Sequence, residues 1–210
     1  MASMIAVLGG TGKMGRLFVQ QALDAGHSVR ALDRRPGRKG ALEHPNLETV
    51  VGDATRLDDV TALVAGTDVV VSCLGNVGDL LIMDKAAETI LAAAAAQPRV
   101  PRCMFISSVG CGGTSWIIKQ VLTLMGGRAG FADYEAADRR IRQQSAIPSV
   151  LVRPYALTDK PGRGRYHATG NQNATFLRSI SRADVARFLL DAVTDTRWDG
   201  RPGVQLGGAR

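Results

Sequence analysis

Aromatic residues are scarce here, with five Phe, two Trp and three Tyr in 210 residues. That argues against the stacking platforms on which proteins hold single-stranded nucleic acid. Histidine is scarcer still, and His27, His44 and His167 are too dispersed for a zinc site, so no metal is expected. The three cysteines, Cys73, Cys103 and Cys111, are odd in number and lack metal-ligand spacing. They point to reduced thiols and a cytoplasmic protein. No run reaches the about 18 uninterrupted apolar residues of a membrane span, so no membrane partner is expected. The opening Met1-Ala-Ser-Met4-Ile5 has no basic n-region and runs straight into a strand pattern, which is not how a signal peptide begins.

Basic charge is what the chain has in excess. Lys and Arg number 26 against 19 Asp and Glu, a formal charge of +7. That invites acidic partners such as phosphates. The arginines are scattered, however, and the only tight cluster, Arg34 to Lys39, is short, so nucleic acid is not the expected partner. Hydrophobic residues make up 45%, enough to bury a full core in a chain of this length. There is no repeat, low-complexity tract or linker, so residues 1–210 read as one domain.

Short apolar runs alternate with helical patterns. Met4 to Leu8 reads as a strand buried on both faces, and Val29 to Leu32, Leu47 to Val51, Val69 to Leu74, Cys103 to Ile106 and Val150 to Val152 as its successors. Helices are expected at Lys13 to Ala25, Asp58 to Val64, Met83 to Ala96, Asp133 to Gln144 and Ser181 to Val193. The alternation predicts an α/β fold, a doubly wound, mostly parallel sheet with helices on both faces. Residues 156–178 break the rhythm and are too long for an ordinary connection; they cover a site or form a mobile loop.

The most specific motif is Gly9-Gly10-Thr11-Gly12-Lys13-Met14-Gly15, between a strand and a helix. Gly9 permits a tight turn, Gly12 lets the backbone approach a pyrophosphate, and Gly15 lets the helix pack close to the strand. The helix start offers N–H groups and a positive dipole end to phosphate. The second strand ends Asp33-Arg34-Arg35-Pro36-Gly37-Arg38. An acid at this position suits the ribose hydroxyl of NAD, whereas an arginine receives the 2′-phosphate of NADP. Two guanidiniums, Arg34 and Arg38, against one carboxylate tilt the reading towards NADP(H) over NAD(H); Arg35 and Lys39 read as solvated. Asp53 is either an acceptor for the adenine amino group or a cap on the following helix.

Taken with Gly52-Asp53, Val71-Ser-Cys-Leu-Gly75-Asn76, Ile106-Ser-Ser108 and Arg153-Pro154 in this order, the glycine motif resembles the atypical short-chain dehydrogenase/reductase group of NAD(P)-binding Rossmann proteins, NmrA-like relatives included. Asp159-x-Pro161-x-x-Gly164-x-Tyr166, Ile180-Ser181-x-x-Asp184, Phe188-x-Leu190 and Asp199-Gly200 resemble its biliverdin- and flavin-reductase branch. The likeness spans nearly the whole chain and is weakest between Cys111 and Asp133. It implies that Gly9, Thr11, Gly12, Lys13, Met14 and Gly15 hold the pyrophosphate, Arg34 and Arg38 the 2′-phosphate, and Asp53 and Ala54 the adenine. It puts Leu74, Gly75 and Asn76 along the cofactor's middle, and Ser107, Ser108, Pro154 and Tyr155 around the nicotinamide.

The group's usual Tyr-x-x-x-Lys pair is missing. The nearest match is Tyr134-Glu-Ala-Ala-Asp138, and an aspartate would raise a tyrosine's pKa instead of lowering it. The reading is therefore an NAD(P)H-dependent oxidoreductase that passes hydride to a planar conjugated small molecule (a flavin, tetrapyrrole or quinone), with Ser108 at most hydrogen-bonding in the site. Cys111, Trp116, Tyr155, Tyr166 and His167 are the candidate acceptor contacts, with residues 111–133 and 156–178 on the substrate side. Trp116 to Met125 has an alternative reading as an amphipathic helix packed on the sheet. The alternatives are a tailoring oxidoreductase for a polycyclic metabolite and a non-catalytic NADP sensor. A monomer or small homo-oligomer is expected.

Overall fold

The first strand explains the architecture. In β1 (Met4–Leu8) every residue after Met4 is buried, because successive side chains enter two different cores. Ile5 and Val7 pack with Met14, Phe18, Val185 and Leu189 on one face. Ala6 and Leu8 pack with Val60, Leu63, Ala86 and Ile90 on the other. The computed structural model describes residues 2–35, 42–76, 80–112, 127–171 and 178–209.

Six strands run parallel in two directions from β1. β2 (Ser28–Asp33) and β3 (Leu47–Val51) lie to one side. β4 (Val69–Ser72), β5 (Arg102–Ile106) and β6 (Ser149–Pro154) lie to the other. Helices α1 (Lys13–Asp24), α2 (Leu57–Val64), α3 (Met83–Ala95), α4 (Arg128–Gln143) and α5 (Arg182–Ala192) connect them. Helices α1 and α5 cover one face; α2, α3 and α4 cover the other. This is a single α/β domain of the doubly wound kind the alternation predicts. Its strand order reverses between β1 and β4, where such folds bind ligands beyond the strands' carboxyl ends.

Four strands were not legible. β7 (Leu157–Thr158) pairs with β9 (Ile180–Ser181) as a separate ribbon. β8 (Tyr166–Thr169) and β10 (Val204–Gly208) extend the main sheet, giving the order β3-β2-β1-β4-β5-β6-β10-β8. β10 reads Val-Gln-Leu-Gly-Gly, with little strand propensity of its own; parallel pairing with β6 and antiparallel pairing with β8 hold it. Part of the 156–178 segment is thus sheet. The expected helix at Trp116 to Met125 lies outside the described residues.

One boundary shift is informative. Helix α4 begins at Arg128, five residues before the expected start at Asp133. Asp133 caps a different helix: its two carboxylate oxygens accept the N–H groups of Met83 and Asp84 at 2.8 and 3.1 Å. That satisfies the start of α3, whose own N-cap residue offers no side-chain bond. Helix α5 is capped locally, with Ser181 Oγ accepting the Asp184 N–H at 3.0 Å and donating to Asp184 Oδ2 at 2.8 Å.

Candidate active site

The turn between β1 and α1 is shaped by its glycines. Gly9 adopts φ +79°, and a Cβ there would stand 2.9 Å from the Cys73 carbonyl. A Cβ on Gly15 would collide with the carbonyl of Gly9, so helix and turn close on each other only without one. No side chain caps α1 and its first turn holds no acid, so its leading N–H groups await an outside acceptor.

Above this turn runs a groove of about 470 Å³, lined by Gly9, Thr11 and Gly12, Asp33, Arg34 and Arg35, Asp53 and Ala54, and Leu74 and Gly75. Leu32, Gly52, Cys73, Leu80 and Ile82 complete its wall and were not foreseen. The groove spans the switch point, and its lining comes from the ends of four strands. Arg35, read as solvated, belongs to the lining; Arg38, Lys39 and Trp116 lie outside the described residues. Two expected contacts shift. Met14 puts its side chain into the α1 core, leaving only its backbone towards the turn. Lys13 extends away to Asp159, at 3.0 Å.

Asp33 is almost wholly buried, and its Oδ1 accepts the Arg35 N–H at 2.9 Å, which folds the Arg34–Arg35 turn back over the strand end. Asp53 resolves the earlier alternative in an unexpected way. It does not cap α2, whose N-cap is Arg56. Its Oδ1 instead accepts the N–H and Oγ of Thr55 at 2.8 and 2.7 Å, while the residue still lines the groove. These bonds, assisted by Arg34 and Arg56, hold its carboxyl below the ordinary range.

The next stretch of the sheet edge, at the ends of β5 and β6, is organised by a buried ion pair. Arg153 and Asp138 are both fully buried. Arg153 Nε and Nη2 donate to the two Asp138 oxygens at 2.8 and 2.7 Å, and Nη2 also donates to the Pro202 carbonyl. Ser107 Oγ and Arg142 Nε add bonds to Asp138 at 2.9 and 2.8 Å. Ser107 is therefore committed inward. Ser108, half-buried, donates to the Val109 carbonyl at 3.0 Å. Neither lines the groove.

Three expectations need correction. Tyr134 does have a raised pKa, but its causes are burial and then the carboxylate of Asp133 and the Cys111 thiol, opposed by the Asn76 N–H. Asp138 is not among them: its carboxylate is held by Arg153, Arg142 and Ser107, and it acts on Cys111 instead. Cys111, read as lying in a glycine-rich loop near the site, is fully buried, and burial and Asp138 push its thiol up to about 11. It cannot touch an acceptor from there. Tyr166 packs edge-on against Phe188 and donates to Asp191 at 2.7 Å, fastening β8 to α5 instead of facing the groove. Of the other acceptor candidates, His167 is exposed on β8 and Tyr155 is half-buried after β6. Asn76 braces the groove: its Oδ1 accepts the Ile82 N–H at 3.1 Å and its Nδ2 reaches the Gly130 carbonyl.

Among the described residues no cluster of His, Cys, Asp or Glu is placed to hold a metal ion, and no helix is long and apolar enough to cross a membrane. A glycine cradle at a helix start, beneath a groove across the switch point, defines a dinucleotide-binding Rossmann protein. The comparisons agree. Residues 9–196 match the family model described as NAD(P)H-binding, and the chain belongs to that family. It is 25% identical over 207 residues, 94% of this chain and 91% of the other, to a protein of Bacillus subtilis named an uncharacterized sugar epimerase. A 66-residue stretch is 46% identical to a 3-beta-hydroxysteroid dehydrogenase of Mycolicibacterium neoaurum, but spans only 18% of that protein's length. Among solved structures, ChuY, an anaerobillin reductase from Escherichia coli O157:H7, superposes with a TM-score of 0.81 at 21% identity, covering 98% of this chain and 97% of that one. A short-chain dehydrogenase/reductase of Veillonella parvula in complex with NADP superposes with a TM-score of 0.81 at 15% identity, covering 99% and 95%.

Proposed function

We propose that this protein is an NADP(H)-preferring reductase that passes hydride to a planar conjugated acceptor. The observation that carries the reading is the groove, with its glycine cradle at one end and Arg34 and Arg35 folded over the buried Asp33 at the other. Two guanidiniums, Arg34 and Arg35, line the groove against the one carboxylate of Asp33, so the local balance of charge favours a phosphate over a ribose hydroxyl. The free N–H groups of α1 and the backbone at Gly12 would hold the pyrophosphate. Asp53, Ala54 and Leu32 would take the adenine, and Leu74, Gly75 and Asn76 the middle of the cofactor. Ser108, Pro154 and Tyr155 would flank the nicotinamide, with residues 111–133 and 156–178 on the substrate side. The glycines fit this load, since a Cβ at Gly9 or Gly15 has no room.

Once bound, the nicotinamide supplies the hydride. What this chain lacks is a proton donor of the usual kind. Asp138 stands where a lysine would activate the tyrosine, and it is locked to Arg153. Burial raises the pKa of Tyr134, which makes its hydroxyl a poorer proton donor. An acceptor that takes its proton from water after accepting hydride suits such a site, as flavins, tetrapyrroles and quinones do. The likeness to a structure crystallised with NADP and to a bilin reductase supports the reading.

The test is anaerobic oxidation of NADPH, and separately NADH, with excess FMN. Steady turnover that favours NADPH is expected, and Arg34→Ala should weaken NADPH far more than NADH. No turnover with either nucleotide across flavins, tetrapyrroles and quinones would refute the reading, and tight NADP binding without turnover would point to a sensor.

A further inference from the structure

A second cavity lies at the far end of the sheet from the glycine turn. It opens between the last turn of α4, the connection to β6 and the turn that precedes β10. β6 and β10 run parallel, so this is the amino end of both strands. Its volume, about 410 Å³, is close to that of the groove and falls in the range of small-molecule sites. No described residue lines both.

The walls are held stiffly. Ile141, Ile147 and Leu151 form an apolar floor, each more than nine-tenths buried. The connection between α4 and β6 satisfies its own polar groups. Gln144 Oε1 accepts the Ile147 N–H at 2.9 Å, and its Nε2 donates to Ser149 Oγ at 3.0 Å. The opposite wall is tied at both ends. The Gly200 N–H donates to the Ser149 carbonyl at 3.1 Å, and the Pro202 carbonyl accepts from Arg153 Nη2 at 2.9 Å. A cavity fixed in this way spares a ligand the cost of ordering it.

Its charge is of one sign. Among the described residues Arg142 and Arg201 line it and no carboxylate does. Arg142 is the exposed member of a buried cluster. Asp138 carries one negative charge and takes bonds from two guanidiniums, from Arg153 Nε and Nη2 and from Arg142 Nε. Arg153 and Asp138 are fully buried and cancel, so the cluster keeps a net positive charge that meets water only along Arg142. On the opposite wall Arg201 gives its Nε to the Arg197 carbonyl at 2.9 Å and lies over the Trp198 ring. A surplus of charge beside an apolar floor is costly unless an anion completes it.

We infer that this cavity is a second binding site, for an organic monocarboxylate. Arg142 and Arg201 hold the carboxylate, and the apolar body covers Ile141, Ile147 and Leu151. Guanidinium forks match the two oxygens of a carboxylate. The surplus at Arg142 is a single charge, which one carboxylate neutralises; a bare phosphate would leave the floor uncovered. The cavity is separate from the groove, so the inference stands apart from the reductase reading.

Calorimetric titration tests it with benzoate, naphthalene-2-carboxylate and hexanoate, each beside its neutral amide, and with inorganic phosphate. The salt is kept at about 50 mM. At least one acid should bind roughly tenfold tighter than its amide, and tighter than phosphate. Arg201→Gln, which leaves the Asp138 cluster untouched, and Arg142→Gln should each shrink that advantage to about threefold or less. Ser145 is exposed at the mouth of the cavity. Ser145→Trp places an indole there and should abolish binding of the acid without changing NADP+ affinity. The acid should still bind wild type when NADP+ is saturating. No preference for any acid over its amide, tightest binding of phosphate, or an advantage that both arginine variants leave intact overturns the inference. So does displacement of the acid by NADP+, or a Ser145→Trp protein that binds the acid as well as wild type. A chain that binds the acid but not NADP+ sustains this site and refutes the reductase.

Discussion

Replacing Arg153 with Met tests the organisation of the β5–β6 end. Both partners of the Arg153–Asp138 pair are fully buried, so the substitution strands a carboxylate out of water. Breaking such a pair from one side costs about 3–5 kcal/mol. Two bonds remain to Asp138, from Ser107 and from Arg142, whose side chain is 32% exposed. They put the expected loss near the lower limit, about 3 kcal/mol. In a chain of this length that lowers Tm by roughly 6–12 °C. The loss of the bond to the Pro202 carbonyl acts in the same direction. Gly112 and Gly203, both at positive φ, lie against the guanidinium, so the loops at both ends of this cluster lose their support. The assay is urea denaturation followed by circular dichroism, with Arg153→Met compared with the double variant Arg153→Met, Asp138→Leu. Removing both charges should recover most of the loss, because no buried ion is left unpaired. A single variant within about 1 kcal/mol of wild type, or a double variant no better than the single, would refute the reasoning.

Other outcomes follow from the same geometry. Gly15→Ala drives a Cβ into the Gly9 carbonyl, and calorimetric titration should find NADP+ binding at least tenfold weaker; unchanged affinity would break the assignment of the cradle. Gln205 is fully buried and neither end of its amide bonds among the described residues, so Gln205→Met should raise Tm by a few degrees, and a fall would mean that the amide has a partner. The Arg140 hydrogen bond lowers the pKa of Asp84, so the pair's stabilisation is present above the unfolded carboxylate value, near 3.8, and is lost as pH falls through the lower folded value. Wild type and Asp84→Asn should therefore differ in urea midpoint at neutral pH and converge towards pH 2; a constant gap would contradict this. Burial pushes the thiols of Cys73 and Cys103 up to about 12 and that of Cys111 to about 11, so a disulfide reagent at about pH 8 should label the unfolded chain and spare the native one.

The parallel sheet and the phosphate turn were legible because each depends on neighbours in sequence. Met4 to Leu8 is apolar throughout because it is covered on both faces; Gly15 is demanded by the Gly9 carbonyl six residues earlier and Gly9 by its own positive φ, although the Cys73 carbonyl also closes the space above Gly9. The acid and arginines at the end of β2 could be placed for the same reason: their relation to the turn follows from strand pairing.

Long-range partnerships had no such signature. Asp133 looked like the start of its own helix and caps α3, fifty residues earlier. Asp138 looked like a threat to Tyr134 and is neutralised by Arg153, which sits on the next strand. Cys111 sits in a glycine-rich stretch that points to the site, yet it is fully buried. Strand β10 carries two glycines and is a strand only because β6 and β8 flank it. Local chemistry, carried by propensity and spacing, made the fold class and the nucleotide turn readable in one dimension. Which charges pair and which thiols are covered depends on distances between residues far apart in the chain, and those exist only once the sheet has formed.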